Sequence, residues 1–196
     1  MRKPANIALF ASGNGSNAEN LALYFQSHPR ARISLLISNK SSAGVIGKMK
    51  KLGIPSFVFS NNQIEEGAAL VDLLKKNQIE LILLAGFLRK IPHSILEQYR
   101  DAVLNIHPSL LPKHGGRGMY GLNVHRQVIE SGDNESGATV HFVDENYDKG
   151  KIISAARCPV FPGDSPETLS ARVLNIEHQI FPLAVEAFLA QNQNHP

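Results

Sequence analysis

Short apolar runs alternate with longer stretches of helical period through the first half of the chain. The apolar runs predict five strands, at residues 6–11, 33–38, 56–59, 79–85 and 102–107. Between them, apolar residues three or four apart predict helices over 16–28, 42–52, 63–77 and 92–99. The run at 79–85 is almost continuously apolar, which is typical of a strand buried on both faces. This alternation indicates βαβ units, right-handed crossovers and a parallel sheet.

The pattern changes after residue 107. A glycine-rich loop over 113–121 precedes a helix over 122–131, two strand-like runs at 138–144 and 151–160, and a long amphipathic helix over 165–189. We find no internal repeat, low-complexity tract or linker. The fold class that follows is α/β, with an open, mostly parallel, doubly wound sheet of Rossmann-like type.

We expect one domain over residues 1–196, with a phosphate-binding half at about 1–100 and a catalytic half at about 101–190. In open α/β sheets, ligands bind beyond the carboxyl ends of the strands. The loops expected to carry function are therefore 12–17, 86–91, 107–121 and 144–150.

Charge and composition narrow the class of partner. The net charge is +3 and the pI is near 9.0, a mild basic bias that suits anionic small molecules. The chain has no long basic run and no tryptophan, so we expect no nucleic acid partner. No apolar run approaches the roughly 18 residues that cross a bilayer, so we expect no membrane partner. A monomer or a weak homodimer is expected.

Cysteine usage bears on the compartment. Cys158 is the only cysteine, so no internal disulfide can form and a reducing compartment fits. The residues after Met1 lead within a few positions into the first apolar run, which is too short for a signal-peptide core. We expect a cytoplasmic location.

Two glycines, Gly13 and Gly15, lie between the first strand and the first helix. A helix N-terminus offers free N–H groups and a positive dipole to a phosphate. The glycines could serve only a tight turn, but together with Ser16 and Asn17 they favour an anion site. Ser16 and Glu19 also have the spacing of a capping box at the start of that helix.

The same turn matches Gly-x-Gly-x-x-Ala, ending at Ala18, which is the dinucleotide fingerprint. An NADP-linked oxidoreductase is therefore an alternative. The second strand ends at Ser38, Asn39 and Lys40, with no acidic residue to hold a ribose 2′-OH. Lys40 could accommodate a 2′-phosphate, so the alternative is weakened and stays open.

The end of the fifth strand carries the most informative run, from Asn105 through His107 to Pro112. Residues two apart share a face of a strand, so Asn105 and His107 point the same way. Asparagine supplies a neutral hydrogen-bond donor for a developing oxyanion, and histidine an acid or base that titrates near neutral pH. A lone strand histidine is more often structural, but this pairing makes a catalytic role an equal alternative.

Asp148 lies in a loop after the strand that holds His141. A loop aspartate is ordinarily a turn residue. If it folds against His107, its charge favours the imidazolium and raises the pKa of His107. The eight histidines show no paired metal-ligand spacing, and Cys158 has no partner cysteine, so we expect no metal.

Taken together, these residues resemble the glycinamide ribonucleotide transformylase family. The run from Asn105 to Pro112 is highly specific for folate formyltransferases, and the turn at 13–17 narrows the resemblance to the ribonucleotide enzyme. Matching segments cover nearly the whole chain in the family's order: 12–17, 37–40, 84–89, 105–112, 139–143, 148–150, 163–165, and Glu177-His178 with Pro182.

The resemblance implies transfer of a formyl group from the cosubstrate 10-formyltetrahydrofolate to the amine of glycinamide ribonucleotide, in purine synthesis. It implies a substrate site made of Gly15, Ser16 and Asn17 at the phosphate, with Pro108 and Glu177 at the sugar or glycinamide portion. It implies a folate site made of Leu88, Arg89, Lys90, Ile91, Asn105 and Val143. The implied catalytic residues are Asn105, His107 and Asp148.

Two departures from the family pattern matter. Members often carry an arginine near the folate tail, before the helix that precedes the fourth strand, and Gln63 takes that position here. The loop at 113–121 is longer than in better-known members. It is either a solvated insertion or a lid over bound substrate, in which Arg117 pairs with an anionic group.

The implied mechanism is direct attack of the amine on the formyl carbon, through a tetrahedral adduct. Asn105 and protonated His107 stabilise the oxyanion, and Asp148 keeps His107 protonated. No covalent enzyme intermediate is needed, so orientation of the two substrates supplies much of the catalysis.

Two other folate enzymes share the catalytic run. Methionyl-tRNA formyltransferase adds a C-terminal RNA-binding module, for which this chain has no room. Formyltetrahydrofolate deformylase carries an N-terminal regulatory domain, whereas the first strand here begins at residue 6. Deformylase and an NADP-binding protein are kept as alternatives.

Overall fold

The computed structural model of the chain describes residues 3–193. Within them, the strands are β1 (Ala5–Phe10), β2 (Ala31–Ser38), β3 (Ser56–Val58), β4 (Ile79–Leu84), β5 (Val103–His107), β6 (Glu135–Phe142) and β7 (Ile152–Pro159). The helices are α1 (Ser16–Tyr24), α2 (Gly44–Lys51), α3 (Asn61–Glu66), α4 (Ala68–Lys76), α5 (His93–Gln98), α6 (Leu122–Glu130) and α7 (Pro166–Gln193).

The strands form one sheet in the order β3-β2-β1-β4-β5-β6-β7. β1 pairs in parallel with β2 and β4, β2 with β3, and β4 with β5, whereas β6 and β7 are antiparallel. This arrangement confirms the predicted α/β class with an open, mostly parallel sheet.

Two compact units divide the chain, one ending at Asn105 and the other beginning at Ile106. In the first unit, every residue of β1 is buried, and four of the six residues of β4 form an unbroken buried run. α1 buries Ala18, Leu21 and Ala22. Each large apolar side chain removed from water in this way contributes about 1.5–3 kcal/mol.

The helix predicted over 63–77 is two helices, because Gly67 interrupts it. Gly67 has φ 75°, in the left-handed region, and both ends α3 and precedes α4. A Cβ at this position would collide with the Ser94 hydroxyl, so the site requires glycine on two counts. The first helix was also predicted too long: it ends at Tyr24, four residues before His28.

The second unit consists of the antiparallel β6–β7 pair and the helices α6 and α7. Gly137 lies where a Cβ would collide with the Ala156 carbonyl of β7, which explains a glycine inside a buried strand. α7 buries Leu169, Val173 and Phe181. Within residues 3–193, no helix has the length and apolarity needed to span a bilayer.

Candidate active site

His107 is the last residue of β5, at the carboxyl end of the strand, and only 4% of it is exposed. Its Nε2 lies 2.9 Å from the carbonyl oxygen of His114. Because a carbonyl only accepts hydrogen bonds, this nitrogen carries the proton and donates. Nδ1, on the other side of the ring, lies 3.5 Å from Oδ2 of Asp148. The structure therefore brings together two of the three predicted catalytic residues.

Asp148 connects three groups through its carboxylate. Oδ2 accepts a hydrogen bond of 2.8 Å from the Gly116 amide as well as facing His107. Oδ1 lies 3.6 Å from Nε2 of His141, a buried residue of β6. Asp148 adopts φ 56°, a left-handed conformation that aspartate tolerates better than most residues. Its role extends beyond the turn that a loop aspartate ordinarily makes.

Asp148 raises the pKa of His107 as predicted, but the net pKa of His107 is lowered. Burial of the imidazole is the largest effect and lowers the pKa of His107, and the Asp148 charge and the His114 hydrogen bond, which raise it, offset burial only in part. Asp148 therefore limits the fall in pKa and does not keep the imidazole charged. For Asp148, burial raises the pKa, but the His141 bond, the His107 charge and the Gly116 amide together outweigh it and the pKa is lowered.

Both imidazoles beside Asp148 have the same hydrogen-bonding pattern. One ring nitrogen faces the carboxylate, and the other faces a backbone carbonyl: that of His114 for His107, and that of Phe142 for His141, at 2.8 Å. For His107, the acceptors on both sides of the ring favour the doubly protonated form, while burial favours the neutral form. The site is therefore suited to taking up and releasing a proton.

A third buried histidine near this site, His125 of α6, was not among the predicted residues. It is 3% exposed, and its Nδ1 has no hydrogen-bond partner within the described part of the chain. Burial and then the charge of His107 lower the pKa of His125 to about 4. It is therefore neutral at neutral pH, and no residue spacing in the sequence indicates it.

The segment that follows His107 is held by hydroxyl groups. Ser109, fully buried, donates to the Lys113 carbonyl at 2.7 Å. Thr139 of β6 donates to the Ser109 carbonyl at 2.7 Å and accepts from the Leu111 amide at 3.1 Å. These bonds fix the start of the loop in which the His114 carbonyl and the Gly116 amide lie.

The predicted phosphate site lies in the first unit, at the start of α1. Gly15 is the residue before the helix, with φ 73°, and a Cβ there would collide with Val45. The predicted capping box is wrong, because no side chain caps α1 and Glu19 instead pairs with Lys48. Since Gly15 brings no side chain to the N-terminus of α1, the arrangement suits an external anion.

Ser12 joins this turn to the predicted folate segment at 88–91. Its buried hydroxyl accepts from the Leu88 amide at 2.9 Å and donates to Oδ1 of Asn39 at 2.6 Å. Asn39 in turn donates to Asn61 at the start of α3, at 3.0 Å. A buried hydroxyl thus links three loops at the carboxyl ends of β1, β2 and β4.

The other predicted binding residues differ in exposure. Leu88, Arg89 and Lys90 are exposed and Ile91 is buried; Asn105, Pro108 and Val143 are half-buried, as are Gly15 and Ser16, whereas Asn17 and Glu177 are buried. Gln63, which replaces the family arginine, forms the capping box of α3: it accepts from the Ser60 amide at 2.8 Å, and its own amide donates to the Ser60 hydroxyl. Its side chain is therefore occupied by helix capping.

Site residues missed from the sequence are those that act through the backbone or through partners distant in sequence. His114 and Gly116 contribute a carbonyl and an amide, which no side-chain motif indicates. Thr139 and His141 are two residues apart on β6 and therefore lie on the same face of the strand. This spacing could have indicated from the sequence that both face the site. Among residues 3–193, no three His, Cys, Asp or Glu side chains are grouped to hold a metal ion.

A buried His–Asp pair at the carboxyl end of a strand in an open α/β sheet is suited to an enzyme that moves protons during group transfer. The chain belongs to the formyl transferase family, whose model matches residues 5–185. The family expected from the sequence motifs is confirmed.

Relatives cover most of the chain. The chain is 41% identical over 186 residues to the chloroplastic phosphoribosylglycinamide formyltransferase of Vigna unguiculata. This match covers 92% of this chain and 60% of that protein. The chain is 39% identical over 188 residues to the phosphoribosylglycinamide formyltransferase of Haemophilus influenzae. This match covers 93% of this chain and 86% of that protein. The crystal structure of glycinamide ribonucleotide transformylase 1 from Symbiobacterium toebii superposes with a TM-score of 0.90 at 31% identity, covering 97% and 90%. The chain spans about three fifths of the length of the plant relative.

Proposed function

We propose that this protein transfers the formyl group of 10-formyltetrahydrofolate to the amine of 5-phosphoribosylglycinamide, a step of purine synthesis. The observation that carries the proposal is the buried pair of His107 and Asp148 at the end of β5, in a formyl transferase chain. The single cysteine Cys158, free and buried, fits a cytosolic location.

The substrate sites are proposed from the family resemblance, and the geometry of the turn before α1 supports the phosphate site. The N-terminus of α1, with Gly15, Ser16 and Asn17, would bind the ribonucleotide phosphate. Pro108 and Glu177 would contact its sugar or glycinamide portion. The folate would lie against the backbone of 88–91 and against Asn105 and Val143.

The chemistry assigned to His107 follows from its burial. The lowered pKa keeps the ring neutral at neutral pH, with a proton on Nε2. As the amine attacks, negative charge develops on the formyl oxygen; the Asn105 amide would stabilise it, and the Nε2–H would be shared between this oxygen and the His114 carbonyl. Asp148 faces Nδ1, where its charge would stabilise the imidazolium that forms when this nitrogen takes up the proton of the attacking amine.

The transfer is complete when the tetrahedral adduct collapses. The new C–N bond to the substrate amine is kept and the bond to N10 of the folate breaks. The attacking nitrogen loses one proton to His107, and His107 returns a proton through solvent to N10 as the bond to N10 breaks. The products are formylglycinamide ribonucleotide and tetrahydrofolate.

A direct assay tests this function. The full chain is incubated with 5-phosphoribosylglycinamide and 10-formyltetrahydrofolate, with and without a metal chelator, and tetrahydrofolate release is followed. We expect release that requires both substrates and persists in the chelator. Release of formate without the ribonucleotide would identify a deformylase, and no reaction together with NADPH binding would favour the oxidoreductase.

A further inference from the structure

His114 contributes its backbone to the site while its own backbone is strained. It adopts φ 53°, in the left-handed region, which costs a residue with a side chain about 1–2 kcal/mol. In this conformation its carbonyl oxygen accepts the Nε2–H of His107 at 2.9 Å. The Ser109 hydroxyl also lies 3.5 Å from this carbonyl oxygen, and contacts of the His114 side chain can offset the remaining cost.

The side chain of His114 has such a partner in Asp133, on the turn between α6 and β6. Its Nε2 donates to Oδ2 of Asp133 at 2.8 Å, with 14% and 21% of the two side chains exposed. Lys113 contacts the other oxygen at 2.8 Å, but its side chain is 69% exposed. The His114 bond and then the Lys113 bond lower the pKa of Asp133, so the carboxylate stays charged.

We propose that Asp133 and His114 are positioning residues for the catalytic imidazole: their side-chain pair fixes His114 so that its carbonyl holds the Nε2–H of His107. The inference rests on the proposed function for the role of His107 in catalysis, although the contact itself is independent of it. The carbonyl defines which ring nitrogen carries the proton and how the ring is turned.

Loss of the pair has a definite consequence. Without Asp133, His114 can relax from φ 53° toward the favoured negative values, and its carbonyl then turns away from His107. The imidazole loses the acceptor that fixes its proton on Nε2, and the proton becomes shared between Nε2 and Nδ1. A ring misplaced or in the wrong tautomer slows the reaction with little effect on substrate binding.

The test uses three variants of the full chain. His114→Ala removes the side-chain donor, and His114→Gln keeps a donor at the position of Nε2. Lys113→Ala is the matched control, because it contacts the same carboxylate but leaves the His114 carbonyl alone. Nitrogen-15 NMR of the His107 ring reports its tautomer, and steady-state kinetics of formyl transfer report kcat and KM separately.

For His114→Ala we expect the His107 signals to shift toward a mixed tautomer and kcat to fall on the order of tenfold, with KM nearly unchanged. His114→Gln should restore both readouts, and Lys113→Ala should change neither by more than about twofold, as for an exposed ion pair.

Unchanged His107 signals in His114→Ala would overturn the proposal, whatever the rate. A rise in kcat would also overturn it, since the carbonyl would then compete with substrate. If the wild-type protein transfers no formyl group, the proposed function fails, and the NMR comparison still decides the positioning role.

Discussion

Nδ1 of His107 lies 3.5 Å from Oδ2 of Asp148, although the two residues are 41 positions apart in the chain. The contact is longer than a hydrogen bond, and the Gly116 amide holds the same oxygen at 2.8 Å. Asp148 therefore acts on His107 mainly through charge, and the Gly116 bond fixes where that charge lies.

Removing this charge should lower the pKa of His107 further. Asp148→Asn keeps an oxygen for the Gly116 amide but loses the charge that raises the pKa of His107. The lowering of this pKa by burial is then no longer offset by Asp148. We expect kcat to fall on the order of 10²-fold, because the imidazolium loses its stabilisation. An NMR titration of His107 and steady-state kinetics measure both effects.

The matched control is Asp144→Asn, an exposed carboxylate in the same loop. It should leave the pKa of His107 and the rate nearly unchanged. An equal shift in the two variants would mean that the loop charge in general, and not Asp148, sets the pKa of His107.

His125 predicts how stability depends on pH. Its pKa falls from an ordinary 6.5 to about 4 in the folded protein, so the unfolded chain binds a proton first as the pH drops. The stability associated with its neutral form is fully present above pH 6.5 and is lost as the pH falls to about 4, an effect of about 3 kcal/mol.

Urea unfolding of wild type and His125→Gln between pH 7 and pH 4 should show a shallower loss in the variant. His93→Gln, on the exposed surface of α5, should follow the wild type; a parallel fall in His125→Gln would exclude this assignment.

The sequence predicted the strands well because their signal is local. Each run of Ile, Leu, Val and Phe in β1, β2 and β4 marks a buried strand within a few residues. The break at Gly67 was missed because glycine is tolerated inside a helical pattern. What favours glycine there is its φ of 75°, together with the Ser94 hydroxyl on α5, and proximity to a residue 27 positions away has no local signature.

The site was predictable only in part. The strand period placed Asn105 and His107 on one face, but the contact between His107 and Asp148 depends on how the chain folds back after β6. The net direction of the His107 pKa shift was missed because the partner charge can be read from the sequence and the extent of burial cannot. Ser16 and Glu19 had the capping-box spacing, but Lys48 of α2 competes for the glutamate.

Gly15 and Gly13 differ in what a side chain would meet, although both belong to one turn. A methyl group at Gly15 would collide with Val45 and would need φ 73°, whereas nothing lies within 4 Å of a Cβ at Gly13. We expect Gly15→Ala to lose about 2 kcal/mol or more of unfolding free energy, and Gly13→Ala to stay close to wild type. In folded Gly15→Ala, the ribonucleotide KM should rise more than the folate KM. Urea unfolding and kinetics of both variants provide the comparison, and equal stability would contradict the packing argument.

The loop after the His114 and Gly116 contacts supports a prediction about closure. Arg117 is exposed, and Gly116, Gly118 and Gly121 all have positive φ values. The backbone on either side of Arg117 can therefore adopt conformations that residues with a side chain rarely adopt. If the loop closes over substrate, trypsin should cut after Arg117 in the free protein and more slowly with 5-phosphoribosylglycinamide or tetrahydrofolate bound. The fragment missing from an Arg117→Gln digest identifies the cut.

Arg117→Ala should raise the KM of whichever substrate protects the loop by roughly tenfold, the equivalent of about 1.4 kcal/mol from one charged contact. Equal cleavage rates with and without both ligands, together with unchanged KM values, would show instead that the loop is a solvated insertion.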